Sequence, residues 1–155
     1  MKETSCSFTG HRELPRGAEF VLLSEKLERT VKELIDRGYR DFYAGGALGF
    51  DTLCELTVLK LKLRGYPARL ILLLPHKNQA SAWSPKDKKI YADVLSLADE
   101  VEYIGEEYNK DCFYKRNRAL VDRSSVLVNF LRKAPSGTAQ TVNYAKKRDV
   151  ELISL

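Results

Sequence analysis

Short apolar runs alternate along the chain with longer segments in which apolar residues recur at helical spacing. The apolar runs predict six strands, at residues 4–9, 41–44, 68–74, 101–104, 125–131 and 150–155. The segments between them predict five helices, at residues 23–38, 49–64, 84–97, 111–123 and 136–148. Regular alternation of this kind is typical of one parallel sheet between two layers of helices. We therefore predict an α/β fold, with a single three-layer domain over residues 1–155 and a mostly parallel sheet of about six strands.

The composition narrows the class of protein. Hydrophobic residues make up 44% of the 155 residues and charged residues 30%, which indicates a folded, soluble domain. No apolar run is long enough for a signal peptide or a membrane span, so we expect no membrane partner. Cys6, Cys54 and Cys112 form no CxxC pair, which favours reduced thiols and a cytoplasmic location. Because the chain has two histidines, we expect no metal site and no required cofactor, and its net charge of +5 mildly favours an anionic partner.

The loops after the strands are the candidate site, because ligands of open parallel sheets bind outside the carboxyl ends of the strands. We expect the first strand at the centre, between the second and the fifth, and it leads into Gly10, His11 and Arg12. Gly10 allows a close approach of backbone to ligand, and the planar guanidinium of Arg12 suits a phosphate. A simple turn at Gly10 with a solvated Arg12 is an equal alternative.

A second glycine-containing loop follows the second strand and leads into a helix. Gly45, Gly46 and Gly49 would expose backbone amides at the N-terminus of that helix, a position that binds anions. Asp51 then has two interpretations, as a cap of the helix or as an acceptor for a ribose or a base. The spacing differs from the GxGxxG dinucleotide motif, which would follow the first strand.

A third loop, after the fifth strand, contains Ser136, Gly137 and Thr138. Ser136 is expected to cap the last helix, while Gly137 and Thr138 present amides and a hydroxyl to a phosphate. An ordinary capped helix start explains the same residues. The common position of all these loops at one edge of the predicted sheet favours a shared site.

Polar residues next to apolar positions add to these loops. Arg116 borders the apolar face that Phe113 and Leu120 form in the fourth helix, so it either reaches solvent or points into the site towards a phosphate or ribose. Asn117 shares that face. Asn129 stands near the end of an apolar strand, where burial requires partners from loop backbone or from the ligand.

These segments together resemble the YpsA-like family of the SLOG superfamily, over residues 9–145: TGHR after the first strand, GGALGFD after the second, FYKRNRALVDRS in the fourth helix, and the late SGT. The resemblance implies a Rossmann-like fold with a ligand pocket at the strand ends. It implies binding, as a sensor, of a nucleotide or nucleotide-derived ligand such as NAD, ADP-ribose or a nucleoside monophosphate. It also implies self-association as a homodimer.

The superfamily includes enzymes of the LOG type, so the resemblance leaves a nucleoside monophosphate phosphoribohydrolase open. Asn117 and Thr141 stand where the LOG pattern has a lysine and a glutamate. An enzyme would therefore rely on Arg116 together with a carboxylate such as Asp51 or, as a minor option, Glu55.

DprA-like members bind single-stranded DNA, which makes nucleic acid a further alternative partner. Tyr91, Tyr114 and Tyr144 lie near basic residues and are able to stack on bases. The basic groups are Lys86, Lys88 and Lys89; Lys115, Arg116 and Arg118; and Lys146, Lys147 and Arg148.

Overall fold

The computed structural model describes residues 1–155 and consists of six strands and five helices, after a single 3-10 turn at Lys2–Thr4. The strands are β1 (Ser5–Gly10), β2 (Asp41–Ala44), β3 (Arg69–Leu74), β4 (Glu100–Tyr103), β5 (Val126–Phe130) and β6 (Glu151–Ser154). The helices are α1 (Ala18–Asp36), α2 (Phe50–Leu63), α3 (Pro85–Leu97), α4 (Cys112–Asp122) and α5 (Gly137–Lys147). None of them combines the length and the apolar content that crossing a membrane requires.

All strands form one sheet in the order β4-β3-β2-β1-β5-β6, and every neighbouring pair is parallel. The predicted Rossmann-like α/β fold is confirmed, and β1 lies between β2 and β5 as expected. The sheet buries different side chains on its two faces, since successive residues of a strand point in opposite directions. Leu70, Leu72 and Leu74 of β3 pack into the large core with α1 and α2, whereas Ile71 and Leu73 pack with Leu120 of α4. Burial on both faces explains the continuous apolar run in β3.

The strand order reverses between β1 and β5. The chain runs outward from β1 through β2 and β3 to β4, and it runs outward in the opposite direction from β5 to β6. Thr9 pairs with Asn129, and Gly10 pairs with Phe130, at the carboxyl ends of these central strands. The crevice expected for a ligand therefore lies above these two pairs.

Side-chain caps begin two of the helices, and the one at Ser136 confirms a prediction. Ser84 Oγ accepts the amide of Asp87 at 3.1 Å at the start of α3, and Ser136 Oγ accepts the amide of Ala139 at 3.0 Å at the start of α5. The interpretation of Asp51 as a helix cap is wrong. Helix α2 is preceded by Gly49 without a side-chain cap, and Asp51 lies within the first helical turn.

Candidate functional site

A cavity of about 420 Å³ opens at the carboxyl ends of the central strands, where the strand order reverses. Its walls come from the end of β1, the loops after β1 and β2, one side of α4 and the beginning of α5. The lining residues are Phe8, Thr9, Gly10, His11, Arg12, Glu13, Ala47, Asp51, Phe113, Arg116, Asn117, Leu120, Lys133, Gly137 and Thr138. The structure thus brings together residues from all the segments that sequence analysis selected. Five residues predicted to bind the ligand lie outside the lining: Gly45, Gly46, Gly49, Asn129 and Ser136.

The N-terminus of α5 presents free backbone donors to the cavity. Ser136 Oγ donates to the carbonyl of Lys133 at 2.9 Å and accepts the amide of Ala139, so this side chain is occupied as a cap. The amides of Gly137 and Thr138 have no protein acceptor, and both residues line the cavity. Free amides and the positive end of a helix dipole together attract an anion.

Arg116 brings a buried positive charge to the same cavity. Its side chain is 5% exposed, so the interpretation in which it reaches solvent is wrong. Nε donates to Asn117 Oδ1 at 2.7 Å, and Nη1 donates to the carbonyl of Gly45. Burial lowers the pKa of Arg116, while the negative charge of nearby Asp51 opposes that shift. The guanidinium is therefore held in one position before any ligand arrives.

Two carboxylates of α2 occupy the amides of the loop after β2. Asp51 Oδ2 accepts the amide of Ala47 at 3.1 Å, and Glu55 Oε2 accepts the amide of Gly46 at 3.0 Å. Burial raises the pKa of Asp51, and it raises the pKa of Glu55 well above its usual range, where the negative charge of Asp51 adds to the shift. Of the three glycine amides predicted to bind an anion, that of Gly46 thus already binds a side chain of the protein. Asp51 also lines the cavity.

The glycines of this loop are required by packing within the protein. A Cβ on Gly45 would lie 2.7 Å from Nη1 of Arg116. Gly46 and Gly49 have φ angles of +72° and +79°, and a Cβ would overlap the side chain of Leu74 at Gly46 and the backbone of Arg12 at Gly49. These three glycines lie outside the cavity lining, and packing against protein atoms is sufficient to require glycine at each of them.

His11 and Asn129 also bind protein groups. His11 Nε2 accepts the amide of Arg132 at 2.8 Å and that of Lys133 at 3.2 Å, which fixes the segment after β5. Asn129 Nδ2 donates to the carbonyl of Ile153 at 3.3 Å, so its polar group serves the pairing of β5 with β6. The alternative in which Asn129 contacts ligand is therefore corrected, whereas His11 is buried and lines the cavity.

Sequence analysis missed Lys133, which lines the cavity close to the N-terminus of α5. The available signal was its position between a predicted strand and the Ser136 cap. A lysine in an exposed loop is so common that position alone did not distinguish it. Phe113 was assigned to an apolar face, and the structure places that face on the cavity wall.

Residues 14–152 match the YpsA family model, which is described as the YspA SLOG family. The chain belongs to this family. The resemblance seen in the sequence is thereby confirmed, although Gly10, His11 and Arg12 lie outside the matched range. The YpsA family assignment covers the loop after β2, helix α4 and the beginning of α5.

Relatives of this YpsA family member include two bacterial proteins. The uncharacterised SPbeta prophage-derived protein YoqJ of Bacillus subtilis is 33% identical over 139 residues, which covers 81% of this chain and 81% of YoqJ. A UPF0398 protein of Halalkalibacterium halodurans is 29% identical over 148 residues, which covers 90% of this chain and 77% of the relative.

Two solved structures share the fold. DNA processing protein A from Helicobacter pylori, a single-stranded DNA-binding protein, superimposes with a TM-score of 0.71 at 18% identity over 99% of this chain. DprA from Streptococcus pneumoniae superimposes with a TM-score of 0.71 at 17% identity over 98% of this chain. The YpsA family chain spans 65% and 50% of the lengths of these two structures.

The basic and aromatic residues considered for nucleic-acid binding do not form one surface in this YpsA family protein. Arg116 points inward, and Tyr91 is held by Gln79 at 3.1 Å. Arg118 instead lies between two tyrosines, with its guanidinium carbon 4.3 Å from the ring centroid of Tyr114 and 4.6 Å from that of Tyr144. An open trough on the outer side of α4 and α5 is lined by Arg118 and its two tyrosines, together with Gln140, Asn143, Lys147 and Arg148.

Proposed function

We propose that this protein binds a nucleotide or nucleotide-derived ligand, with a phosphate against the N-terminus of α5, and that it acts as a sensor of that ligand. The single observation that carries the proposal is the pair of free amides of Gly137 and Thr138, which line the 420 Å³ cavity. An anion at this position would satisfy both donors and face the positive end of the helix.

The cationic side chains of the cavity support a phosphate. Arg12 and Lys133 are exposed at its rim, while Arg116 is buried and fixed. A buried guanidinium that is already hydrogen-bonded loses little freedom when a phosphate binds. Asp51, in contrast to these cationic donors, is a hydrogen-bond acceptor, which suits a ribose hydroxyl. The cavity thus offers separate groups to a phosphate and to a sugar.

A thermal-shift panel tests the class of ligand. Purified protein is mixed with AMP, NAD, ADP-ribose and cyclic di-AMP, with adenosine as the phosphate-free control. Binding to the native state raises the melting temperature by mass action, so we expect a shift from at least one phosphate-bearing compound and none from adenosine. Equal shifts from AMP and adenosine, or no shift from any compound, would contradict the proposal.

A pair of substitutions at Gly137 tests the α5 amide directly. Gly137 is the first residue of α5, and a Cβ there meets no atom within 4 Å. Proline suits the first helical position but has no N–H, whereas alanine keeps the amide donor. We expect Gly137→Pro to bind the ligand found in the panel about tenfold more weakly than Gly137→Ala does. A change of this size corresponds to the loss of one hydrogen bond to a charged group. Equal affinities of the two variants would remove this amide from the site.

Turnover separates the sensor from a hydrolase of the same ligand. Thr141 stands at the glutamate position of the LOG pattern, and its Oγ1 donates to the carbonyl of Gly137 at 2.9 Å within α5. Asp51 is the remaining buried carboxylate in the cavity lining. We expect prolonged incubation with AMP to release no adenine. Release of adenine that Asp51→Asn abolishes would establish the hydrolase instead.

The trough on the outer side of α4 and α5 favours single-stranded nucleic acid as a second candidate ligand. Its lining combines Tyr114 and Tyr144 with three cationic residues, Arg118, Lys147 and Arg148. The Asp122 carboxylate accepts from Tyr144 and pairs with Arg148, which leaves Arg118 and Lys147 as the cations without an ion-pair partner. The single-stranded DNA binding of Helicobacter pylori DprA supports this candidate as well. Cationic grooves with aromatic side chains bind single strands with strong salt dependence.

Fluorescence anisotropy with labelled oligothymidine tests this second candidate. We expect binding at low salt that weakens steeply as salt rises, and a loss of binding in Arg118→Ala. Gly137→Pro serves as the matched control, because it alters the cavity and leaves the trough intact. Absence of binding at low salt would eliminate the candidate.

A further inference from the structure

A second compartment of about 530 Å³ lies beside the cavity. His11, Glu13 and Lys133 line both spaces, so they form the boundary between them. The rest of this groove consists of the loop after β1, one side of α1, and the ends of β5 and β6. A ligand whose phosphate lies at α5 therefore has adjoining space for the remainder of the molecule.

The groove lining includes a guanidinium that lies over a buried ring. The guanidinium carbon of Arg132 lies 4.3 Å from the ring centroid of Phe130, which is 3% exposed. Arg132 Nη1 donates to the carbonyl of Leu155 at 2.9 Å and to that of Leu131 at 3.3 Å. Arg132 is exposed, and both Arg132 and Phe130 line the groove.

The rim of the groove is apolar above this guanidinium. Leu14, Pro15 and Leu22 line it, and Leu22 is 64% exposed. A nucleobase is planar, with apolar faces and polar edges, and arginine guanidinium planes are among the groups on which proteins stack unpaired bases. Carboxylates of Glu13 and Glu19 lie on the same lining and are suited to accept from exocyclic amines.

We propose that this groove is the base-binding compartment of the site, in which the base of the bound nucleotide stacks on Arg132 while its phosphate lies at α5. The inference rests on the proposed function and narrows the ligand to a nucleotide that carries a planar base, as opposed to a sugar phosphate. Because His11 and Lys133 line both spaces, the groove adjoins the phosphate position, and the base is the part of the nucleotide that extends into it.

Titration calorimetry with AMP and ribose 5-phosphate tests the proposal, because the two ligands differ in the base alone. We expect the unaltered protein to bind AMP about tenfold or more tightly than ribose 5-phosphate, as base stacking provides. Arg132→Lys keeps the charge and removes the plane, so it should abolish this preference and leave ribose 5-phosphate unaffected. Arg37→Lys is the matched control, since Arg37 lies on the ring of Tyr39 at the opposite end of the sheet.

Leu22→Glu provides a second variant that does not disturb the segment after β5, because Leu22 is largely exposed on α1. Leu22→Glu should weaken the binding of AMP and leave the binding of ribose 5-phosphate unchanged. Equal binding of AMP and ribose 5-phosphate by the unaltered protein overturns the inference while the proposed function stands. A parallel loss of both ligands in Arg132→Lys, or unchanged AMP binding in both groove variants, also overturns it. Failure of both ligands to bind the unaltered protein contradicts the proposed function itself for this ligand class.

Discussion

The Nε2 atom of His11 accepts a hydrogen bond of 2.8 Å from the backbone amide of Arg132, which ties the loop after β1 to the segment after β5. This acceptor exists only in the neutral imidazole. Burial lowers the pKa of His11 from 6.5, and the positive charges of Lys133 and Arg132 lower it further. The junction between the cavity and the groove therefore depends on an uncharged histidine.

The first prediction is a pH dependence of stability that originates at His11. The unfolded chain takes up a proton as the pH falls through 6.5, whereas the folded protein resists protonation until a lower pH. The stability contribution of His11 is thus complete above pH 6.5 and declines below it. Urea denaturation at about pH 7.5 and about pH 5.5 measures how much unfolding free energy is lost as the pH falls. This loss should be smaller in His11→Gln than in the unaltered protein, because the glutamine amide oxygen accepts the hydrogen bond without titrating. The same loss in both proteins would contradict this assignment.

The second prediction concerns the guanidinium of Arg116. Arg116→Lys retains a positive charge but loses the planar guanidinium, whose Nε donates to Asn117 and whose Nη1 donates to the carbonyl of Gly45. We expect its affinity for AMP to fall about tenfold, measured by calorimetry. Arg123→Lys is the control, because Arg123 follows α4 and pairs with Glu102 away from the cavity. Comparable losses in the two variants would show that the effect does not depend on the site.

The third prediction separates backbone strain from packing at the glycines. Gly49 and Gly65 both have positive φ angles, of +79° and +91°, but only at Gly49 would a Cβ overlap protein atoms, namely the backbone of Arg12. Gly65→Ala should therefore cost about 1–2 kcal/mol of unfolding free energy from strain alone. Gly49→Ala should cost roughly 1–3 kcal/mol more, because the overlap adds to the strain. Equal costs in chemical denaturation would show that the loop accommodates the extra atom.

The fourth prediction contrasts two asparagines that sequence analysis assigned to the ligand. Asn129 donates to the carbonyl of Ile153 on β6, whereas Asn117 lines the cavity and accepts from Arg116. Asn129→Ala should lower the unfolding free energy by about 1–2 kcal/mol and leave the AMP affinity unchanged. Asn117→Ala should weaken AMP with a smaller effect on stability. Weakened AMP binding in Asn129→Ala would return that residue to the site.

Periodicity predicted the elements well because local sequence controls them. The continuous run at Leu70–Leu74 required a strand covered on both faces, and Ser84 and Ser136 are caps whose partners lie three residues away. The edge strand β4 begins one residue earlier than predicted and is exposed throughout, so burial gave little information about its ends.

The chemistry of the loops was predicted less well, because the same residue types suit an external or an internal partner. Gly45 and Gly46 were assigned to a phosphate, yet packing against Arg116 and Leu74 requires them. A cap of α2 was one of the two interpretations of Asp51, but Asp51 accepts from Ala47 in the preceding loop. Composition shows that a group needs a partner, and only the folded backbone decides which partner it has.

The sequence by itself determined the alternation of strands and helices, the central position of β1, and the convergence of three loops at one edge of a parallel sheet. Those properties follow from local hydrophobic patterning and from the directionality of parallel strands. Only the folded structure decided that the amides of Gly46 and Ala47 bind Glu55 and Asp51, while those of Gly137 and Thr138 remain free. That difference arises from the way the first turns of α2 pack against the loop before it, a geometry that hydrophobic periodicity does not encode although the residues are close in sequence.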